Sequence, residues 1–340
     1  MAVILVTGSA GFIGSHVAHR LLDRGDEVVG LDNLNPYYDP TLKQARLARL
    51  EAREGYRHAA IDLADREAMA RLFKDVRPAR VINLAAQAGV RYSLEQPAAY
   101  VDSNLVGFGN ILEGCRSAEV EHLVFASTST VYGANGNFPS SVHDPVHHPI
   151  TLYSATKLAN EAMAHAYAHL FGIPSTGLRF FTVYGPWGRP DMALFKFTDA
   201  IFAGRPIDVY GQGRMQRDFT YIDDIVTGVL AALDRPAARS QTWNPVHPDP
   251  ATSGVAPWRV LNLGNSRSTE LMRYIEVLEE KIGRKAQLNL LPMQPGDVSR
   301  TDADVSDTEL ALDYAPSTPI EIGVGRFVDW YMDFFQVGKN

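Results

Sequence analysis

The sequence predicts an α/β protein built on a doubly wound parallel sheet, with a smaller C-terminal α/β lobe interleaved with it. Three observations carry that expectation. Short apolar runs alternate with periodic helical stretches through the first half of the chain, and a glycine-rich turn separates the first run from the first helix. After about residue 180 the elements become shorter and richer in Pro and Gly. Alternating strand and helix implies parallel strands, helices on both sheet faces and right-handed crossovers.

The first element, AVILVT (2–7), has the continuous apolar character of a buried parallel strand. A glycine turn and then the helical pattern FIGSHVAHRLLDRG follow, stopped by Gly25. DEVVGLD, ARVINLAA (79–86) and EHLVFAS (121–127) repeat the strand signal, with helical stretches such as AAYVDSNLVGFGNILEGCR between them. The segment RPAARSQTWNPVHPDPATSGVAP (235–257) lacks any apolar period and reads as a long surface loop of a composition that favours disorder. This divides the chain into residues 1–180 and residues 181–340, with some segments of the second part returning to the first.

Composition narrows the function. The chain has 340 residues, 46% of them hydrophobic, and a formal net charge of -7. That is ample for a large core, and the acidity argues against nucleic acid or an anionic membrane as the main partner. No run approaches the ~18 apolar residues of a membrane span, and the first residues lack the basic stretch of a signal peptide. The single cysteine, Cys115, has no internal partner, which suits a reducing, cytoplasmic setting. His143, His147 and His148 crowd a Pro-rich stretch, but their spacing matches no zinc pattern, so no metal is expected.

The chemistry begins with TGSAGFIG, which places Gly8, Gly11 and Gly14 between a strand and a helix. Glycine there lets the backbone approach a pyrophosphate, and the helix start offers free N–H groups to the anion. Asp32 ends the next strand, where a carboxylate accepts bonds from the ribose hydroxyls of NAD and repels the 2′-phosphate of NADP. Together these features predict a Rossmann-type NAD site. Against that background LYSATKLANE stands out, because Tyr153 and Lys157 lie one helical turn apart. A phenol, with an ordinary pKa near ~10, is a poor base at neutral pH. A neighbouring ammonium and a cationic nicotinamide favour its phenolate, so Lys157 is expected to lower the pKa of Tyr153. Upstream, FASTSTVYG ends an apolar strand in Ser127, Thr128, Ser129 and Thr130, hydroxyls suited to strand-end capping or to holding a reacting oxygen.

The set TGSAGFIG, STSTVYG, YSATK, LRFFTVYGP and RDFTYIDD resembles the extended short-chain dehydrogenase/reductase family over nearly the whole chain. Within it, GLRFFTVYGPWGRPDMALFKF and DNLNPYYDPTLK are most similar to NAD-dependent nucleotide-sugar 4-epimerases acting on UDP-glucuronate. The resemblance implies Tyr153 as base, with Thr128 and Lys157, acting through a transient 4-keto sugar. It implies NAD contacts from Gly8, Gly11, Phe12, Ile13, Gly14, Asp32, Asn33, Asp62, Leu63, Ala85, Gln87, Asn104, Ser127, Tyr153 and Lys157. For the UDP-sugar it implies Ser127, Thr128, Ser129 and Thr182 at the sugar, Arg217 and Arg214 at the diphosphate, Ala193 and Phe195 along the uracil, and Asp297 near the ribose. Arg189 is the expected partner of the C6 carboxylate, against the alternative of an ion pair with Asp191.

Neighbouring activities are separated by absences. Related 4,6-dehydratases carry an Asp–Glu pair where Ser129 and Thr130 stand, and related UDP-glucuronate decarboxylases carry a Glu at the position of Thr130. UDP-glucose/UDP-galactose 4-epimerases are the closest rival and usually have Asn in place of Thr182. SRTDAD (299–304) departs from the relatives' usual pattern. A non-catalytic NAD-binding regulator would have lost Tyr153 or Lys157, and a net oxidoreductase would need added cofactor. The family also implies a homodimer, formed by the helices near 97–116 and 152–171 in a four-helix bundle.

Overall fold

The computed structural model describes residues 2–338. The chain runs through β1 (Val3–Thr7), α1 (Phe12–Asp23), β2 (Glu27–Leu31), α2 (Thr41–Glu51), β3 (Tyr56–Ala59), α3 (Arg66–Val76) and β4 (Arg80–Asn83). Two single turns follow, α4 (Tyr92–Glu95) and α5 (Pro97–Tyr100), then a π-helical turn (Val101–Val106) that leads into α6 (Gly107–Ser117). After β5 (His122–Thr128) come α7 (Leu152–Phe171), β6 (Ser175–Phe180), β7 (Thr182–Tyr184), α8 (Ala193–Phe202), β8 (Ile207–Val209), β9 (Gln216–Tyr221) and α9 (Ile222–Asp234). The chain ends with β10 (Trp258–Leu263), β11 (Ser268–Glu270), α10 (Leu271–Ile282), β12 (Leu288–Leu290), α11 (Ser306–Leu312) and α12 (Ile320–Phe335).

Seven strands form one parallel sheet in the order β10-β6-β5-β4-β1-β2-β3. The order reverses between β1 and β4, the place where open α/β sheets open a crevice beyond the strand ends. Side chains alternate across the sheet: Ile4 and Val6 of β1 enter one core with Val17 and Leu21 of α1 and Val229 of α9. Leu5 enters the opposite core with Phe73 of α3, Ile111 of α6 and Ala168 of α7. The C-terminal lobe adds a three-stranded sheet, β11-β9-β7, and a two-stranded one, β12-β8. β10 belongs to the large sheet although it lies late in the sequence, since it pairs in register with β6.

The 235–257 segment is a surface loop, but it is tied down and the expectation of disorder fails. Asp249 Oδ1 accepts the N–H of Ala251 at 2.9 Å, Ser240 N–H reaches Ser253 O at 2.9 Å, and Ala237, Ala251 and Ala256 are buried. His143 bridges Asp249 at 2.8 Å and Asp307 at 3.2 Å, fastening the loop to α11. No described helix is long and apolar enough to cross a membrane.

Candidate active site

A cleft of about 870 Å³ opens beyond the C-terminal ends of β1, β4 and β5 and extends into the C-terminal lobe. Its floor is the glycine turn. Gly8 has φ +71°, and a side chain on Gly14 would place its Cβ 2.0 Å from Gly8 O, so the turn admits only glycine. Gly11 precedes α1 without any side-chain capping bond, leaving the first N–H groups of that helix unclaimed beside the cleft. At the end of β2, Asp32 Oδ2 accepts from Ala10 N at 3.2 Å and Oδ1 from Leu34 N at 2.8 Å. Asn33 donates to Asp62 at 2.7 Å, and both line the cleft with Phe12, Ile13, Leu63, Ala85 and Gln87. A glycine cradle that a Cβ would fill, a helix start and a carboxylate at the second strand fit a dinucleotide such as NAD.

Asn104 differs from the expected direct contact. It is buried behind the cleft wall, donating to Gln87 O at 3.1 Å and Thr156 Oγ1 at 3.0 Å while accepting from Gln87 N at 2.9 Å. The wider π turn frees its carbonyl, which takes Asn160 Nδ2 at 2.6 Å. Asn104 therefore holds Gln87 in the wall and joins it to α7.

α7 begins at Thr151, whose hydroxyl caps the N–H of Ser154 at 3.1 Å. Its spacing then puts Tyr153, Lys157 and Glu161 on one face. Tyr153 is hydrogen-bonded with Thr128, the last residue of β5. Burial pushes the Tyr153 phenol above its ordinary pKa, outweighing the Arg189 guanidinium and the Thr128 bond. This corrects the expectation that Lys157 lowers it. The Lys157 ammonium, 2% exposed, is aimed instead at Ala126 O, 2.8 Å away. Burial draws Lys157 down to about 8, with the Glu161 carboxylate opposing that fall.

Beneath Lys157 lies a buried ion pair. Arg179 grips Glu161 through Nε at 3.0 Å and Nη2 at 2.9 Å, and the two side chains are 1% and 5% exposed. Ser127 donates to Glu161 Oε1 at 2.5 Å. Ser127 borders the cleft, where it was expected, while its hydroxyl proton is committed to Glu161. Ser129 and Thr182 line the cleft.

On the lobe side, Arg189 and Asp191 pair through Nε–Oδ1 at 3.0 Å and Nη2–Oδ2 at 2.5 Å, and Tyr37 Oη donates to Asp191 at 3.1 Å. The ion pair weighed from the sequence exists, and it leaves Nη1 of Arg189 without a bond to Asp191. Arg217 is held by Gln216 O at 2.8 Å and Val298 O at 2.7 Å and borders the cleft with Asp297 and Ala193. Two expected contacts lie elsewhere. Phe195 is absent from the cleft wall and packs on Phe327, Trp330, Tyr331 and Phe335, because its position on α8 turns toward α12. Arg214 borders a separate depression with Met215, Pro292 and Met293.

Tyr37, Lys43, Arg91 and Lys196 also stand at the cleft, beyond the residues expected there. Arg91 pairs with Asp297 at 3.2 Å and stands beside Arg217. For Lys43 a signal existed: with Arg46 it lies on the buried stripe of α2 that carries Leu42, Leu47 and Leu50, an unusual place for cations.

Residues 4–244 match the family model described as the NAD dependent epimerase/dehydratase family. A Rhizobium meliloti protein named "Probable UDP-glucuronate 4-epimerase" is 52% identical, covering 96% of this chain and 96% of its own. UDP-glucuronate 4-epimerase 4 of Arabidopsis thaliana is 47% identical over 99% of this chain and 77% of its own. Among solved structures, the UDP-glucuronic acid 4-epimerase of Bacillus cereus, in complex with UDP-glucuronic acid and NAD, superposes with a TM-score of 0.86. It is 32% identical and covers 98% of this chain and 99% of its own.

Proposed function

The chain belongs to the NAD dependent epimerase/dehydratase family, and from that premise we propose that it is an isomerase interconverting UDP-glucuronate and UDP-galacturonate at C4. The observation that carries the reading is one cleft holding the glycine cradle, the Thr128–Tyr153 pair and the cation Arg189 together. NAD, when bound, supplies the chemistry of taking a hydride from the sugar and giving it back. The protein's own groups handle the proton. Tyr153 accepts it from the C4 hydroxyl, Thr128 holds that oxygen by a hydrogen bond, and the Arg189 guanidinium and Thr128 favour the phenolate against burial, while the Lys157 ammonium would hold the nicotinamide ribose. The 4-keto sugar turns over in the cleft, so that C4 regains its hydrogen on the opposite face while Tyr153 returns the proton to the C4 oxygen.

Arg217, with Arg91, supplies positive charge for the diphosphate, and Nη1 of Arg189 is the donor offered to the C6 carboxylate. Thr128 is followed by Ser129 and Thr130, neither of them a carboxylic acid, so no side chain at that place can drive loss of water, and the sugar keeps its acid group. In this reading residues 1–180 hold NAD and the reacting groups, and residues 181–340 mainly hold the UDP-sugar. The enzyme works in the cytoplasm as a homodimer. The exposed apolar side chains Val101, Val106 and Leu170 on the segments near 97–116 and 152–171 support such a pairing.

A second reading, 4-epimerisation of UDP-glucose and UDP-galactose, is favoured by one observation: Asp191 already neutralises much of Arg189. Proton NMR of each sugar nucleotide incubated with the purified enzyme decides between them. UDP-galacturonate formed from UDP-glucuronate, with UDP-glucose turned over far more slowly, is the expected result. The reverse preference overturns the assignment, and UDP-xylose signals would reveal a decarboxylase.

A further inference from the structure

Arg46 of α2 is fully buried, and no carboxylate among the described residues lies within ion-pairing distance of it. A guanidinium carries five N–H donors, and all five are used. Nε and Nη2 both donate to Trp187 O, at 3.1 and 2.7 Å, and Nη2 also reaches Gly188 O at 3.1 Å. Nη1 donates to Ala10 O at 3.2 Å and to Tyr38 Oη at 2.9 Å. Three separate segments meet on this one side chain. Ala10 belongs to the glycine turn, where its own N–H is held by Asp32. Trp187 and Gly188 immediately precede Arg189, and Tyr38 stands in the loop between β2 and α2.

The carbonyl-bearing loop is unusual in itself. Trp187 has φ +61°, a left-handed conformation that a bulky residue seldom adopts. From outside, its ring is held by Arg49 at 4.5 Å and by Trp330 and Phe334 at 5.3 and 5.0 Å. From inside, among the described residues, only Arg46 donates to the two carbonyls that the turn points inward. The same β2–α2 loop reaches this region a second time through Tyr37, which donates to Asp191.

We propose that Arg46 is a positioning residue that joins the glycine turn to the loop bearing Arg189, so that the site for the dinucleotide and the site for the sugar acid are set by one side chain. A buried charge without a counter-charge is retained here because planar geometry and five donors lock carbonyls that no smaller group can reach together. Lysine has the charge but only three donors and no fork, so it cannot replace Arg46. The inference rests on the uronate reading of Arg189.

The test uses the holoenzyme and its variants Arg46→Lys and Arg46→Met. Calorimetric affinities are measured for UDP-glucuronate and for UDP, which lacks the acid, with KM, kcat and the NAD retained after gel filtration. The proposal expects both variants to bind UDP-glucuronate at least tenfold more weakly, with KM rising more than kcat falls, while UDP affinity changes less than threefold and NAD retention drops. Full rescue by Lys, or equal losses for both ligands, overturns it. Should both variants fail to fold, Tyr38→Phe, which removes one acceptor of Arg46, carries the test: a several-fold loss for UDP-glucuronate with UDP affinity little changed supports the coupling, and unchanged affinity overturns it. A wild-type protein that does not bind UDP-glucuronate removes the functional reading and this inference with it. Intact wild-type binding beside unaffected variants removes the inference alone.

Discussion

Replacing Glu161 with Gln probes the ion pair under the reacting groups. The carboxylate accepts two bonds from Arg179 and one from Ser127, at 3.0, 2.9 and 2.5 Å, in a place that water does not reach. An amide keeps the shape but turns one acceptor into a donor and leaves Arg179 without a counter-charge. Removing one partner of a buried pair costs about 3–5 kcal/mol. At the ~2 °C per kcal/mol expected for a large chain, the melting temperature should fall by roughly 6–10 °C. A second effect separates this from a mere loss of packing. Lys157 stands one helical turn away, where the Glu161 carboxylate opposes the burial that draws its pKa to about 8. Two unit charges ~6 Å apart interact by ~2–3 kcal/mol at an effective dielectric of ~20. Loss of the negative charge therefore lowers the Lys157 pKa by about one to two units. Activity that depends on the ammonium should then fail at lower pH, seen as an acidward displacement of the alkaline limb of kcat. The assays are scanning calorimetry with NAD present and kcat profiles from pH 6 to 10. A melting temperature within ~1 °C of wild type, with an unmoved alkaline limb, refutes both parts of the reasoning.

Tyr153→Phe should leave folding and NAD content unchanged and lower kcat by roughly 10²–10⁴-fold, the usual worth of a positioned acid–base group; retained kcat in a single-turnover assay would assign the base elsewhere. Arg189→Ala should raise KM for UDP-glucuronate by about tenfold or more, in line with ~1.5–3 kcal/mol for a hydrogen bond to a charged group, and affect UDP-glucose much less; equal effects would contradict the acid contact. His143 is pulled down by partial burial and raised more by Asp249 and Asp307, ending above its ordinary pKa. A raised folded value means the pairing stabilises fully below pH ~6.5 and fades as pH rises through that value. Because the pair is half exposed, His143→Ala should cost only ~0.5–1 kcal/mol at pH 6 and almost nothing at pH 9; urea unfolding at the two pH values tests the sign.

The parts of the molecule that were legible in sequence are those written locally. The glycines at 8, 11 and 14, the carboxylate at the end of β2, and the Tyr153–Lys157 spacing each declare their geometry within a few residues. The features that escaped depend on pairings far apart in the chain. Nothing near Ser127 announces that its hydroxyl will face Glu161, and nothing near Arg189 says that Tyr37 will help hold its partner Asp191. Phe195 illustrates the ambiguity of an apolar residue on a short helix, where one face meets the cleft and the next meets α12. The 235–257 loop misleads by composition, since Pro and Ser lower its apolar content, yet Asp249 and the helix-borne His165 and His169 supply the anchors that fix it. The π turn around Asn104 has no sequence signature of its own, and only the demands of Gln87, Thr156 and Asn160 explain it.

In the proposed reaction the hydrogen at C4 leaves the sugar and returns to the same carbon without meeting solvent. UDP-glucuronate deuterated at C4, incubated with the holoenzyme in ordinary water, reports on this transfer. UDP-galacturonate that retains the deuterium at C4, by proton NMR and mass spectrometry, is the expected product. Product carrying hydrogen at C4, or no product at all, would contradict it.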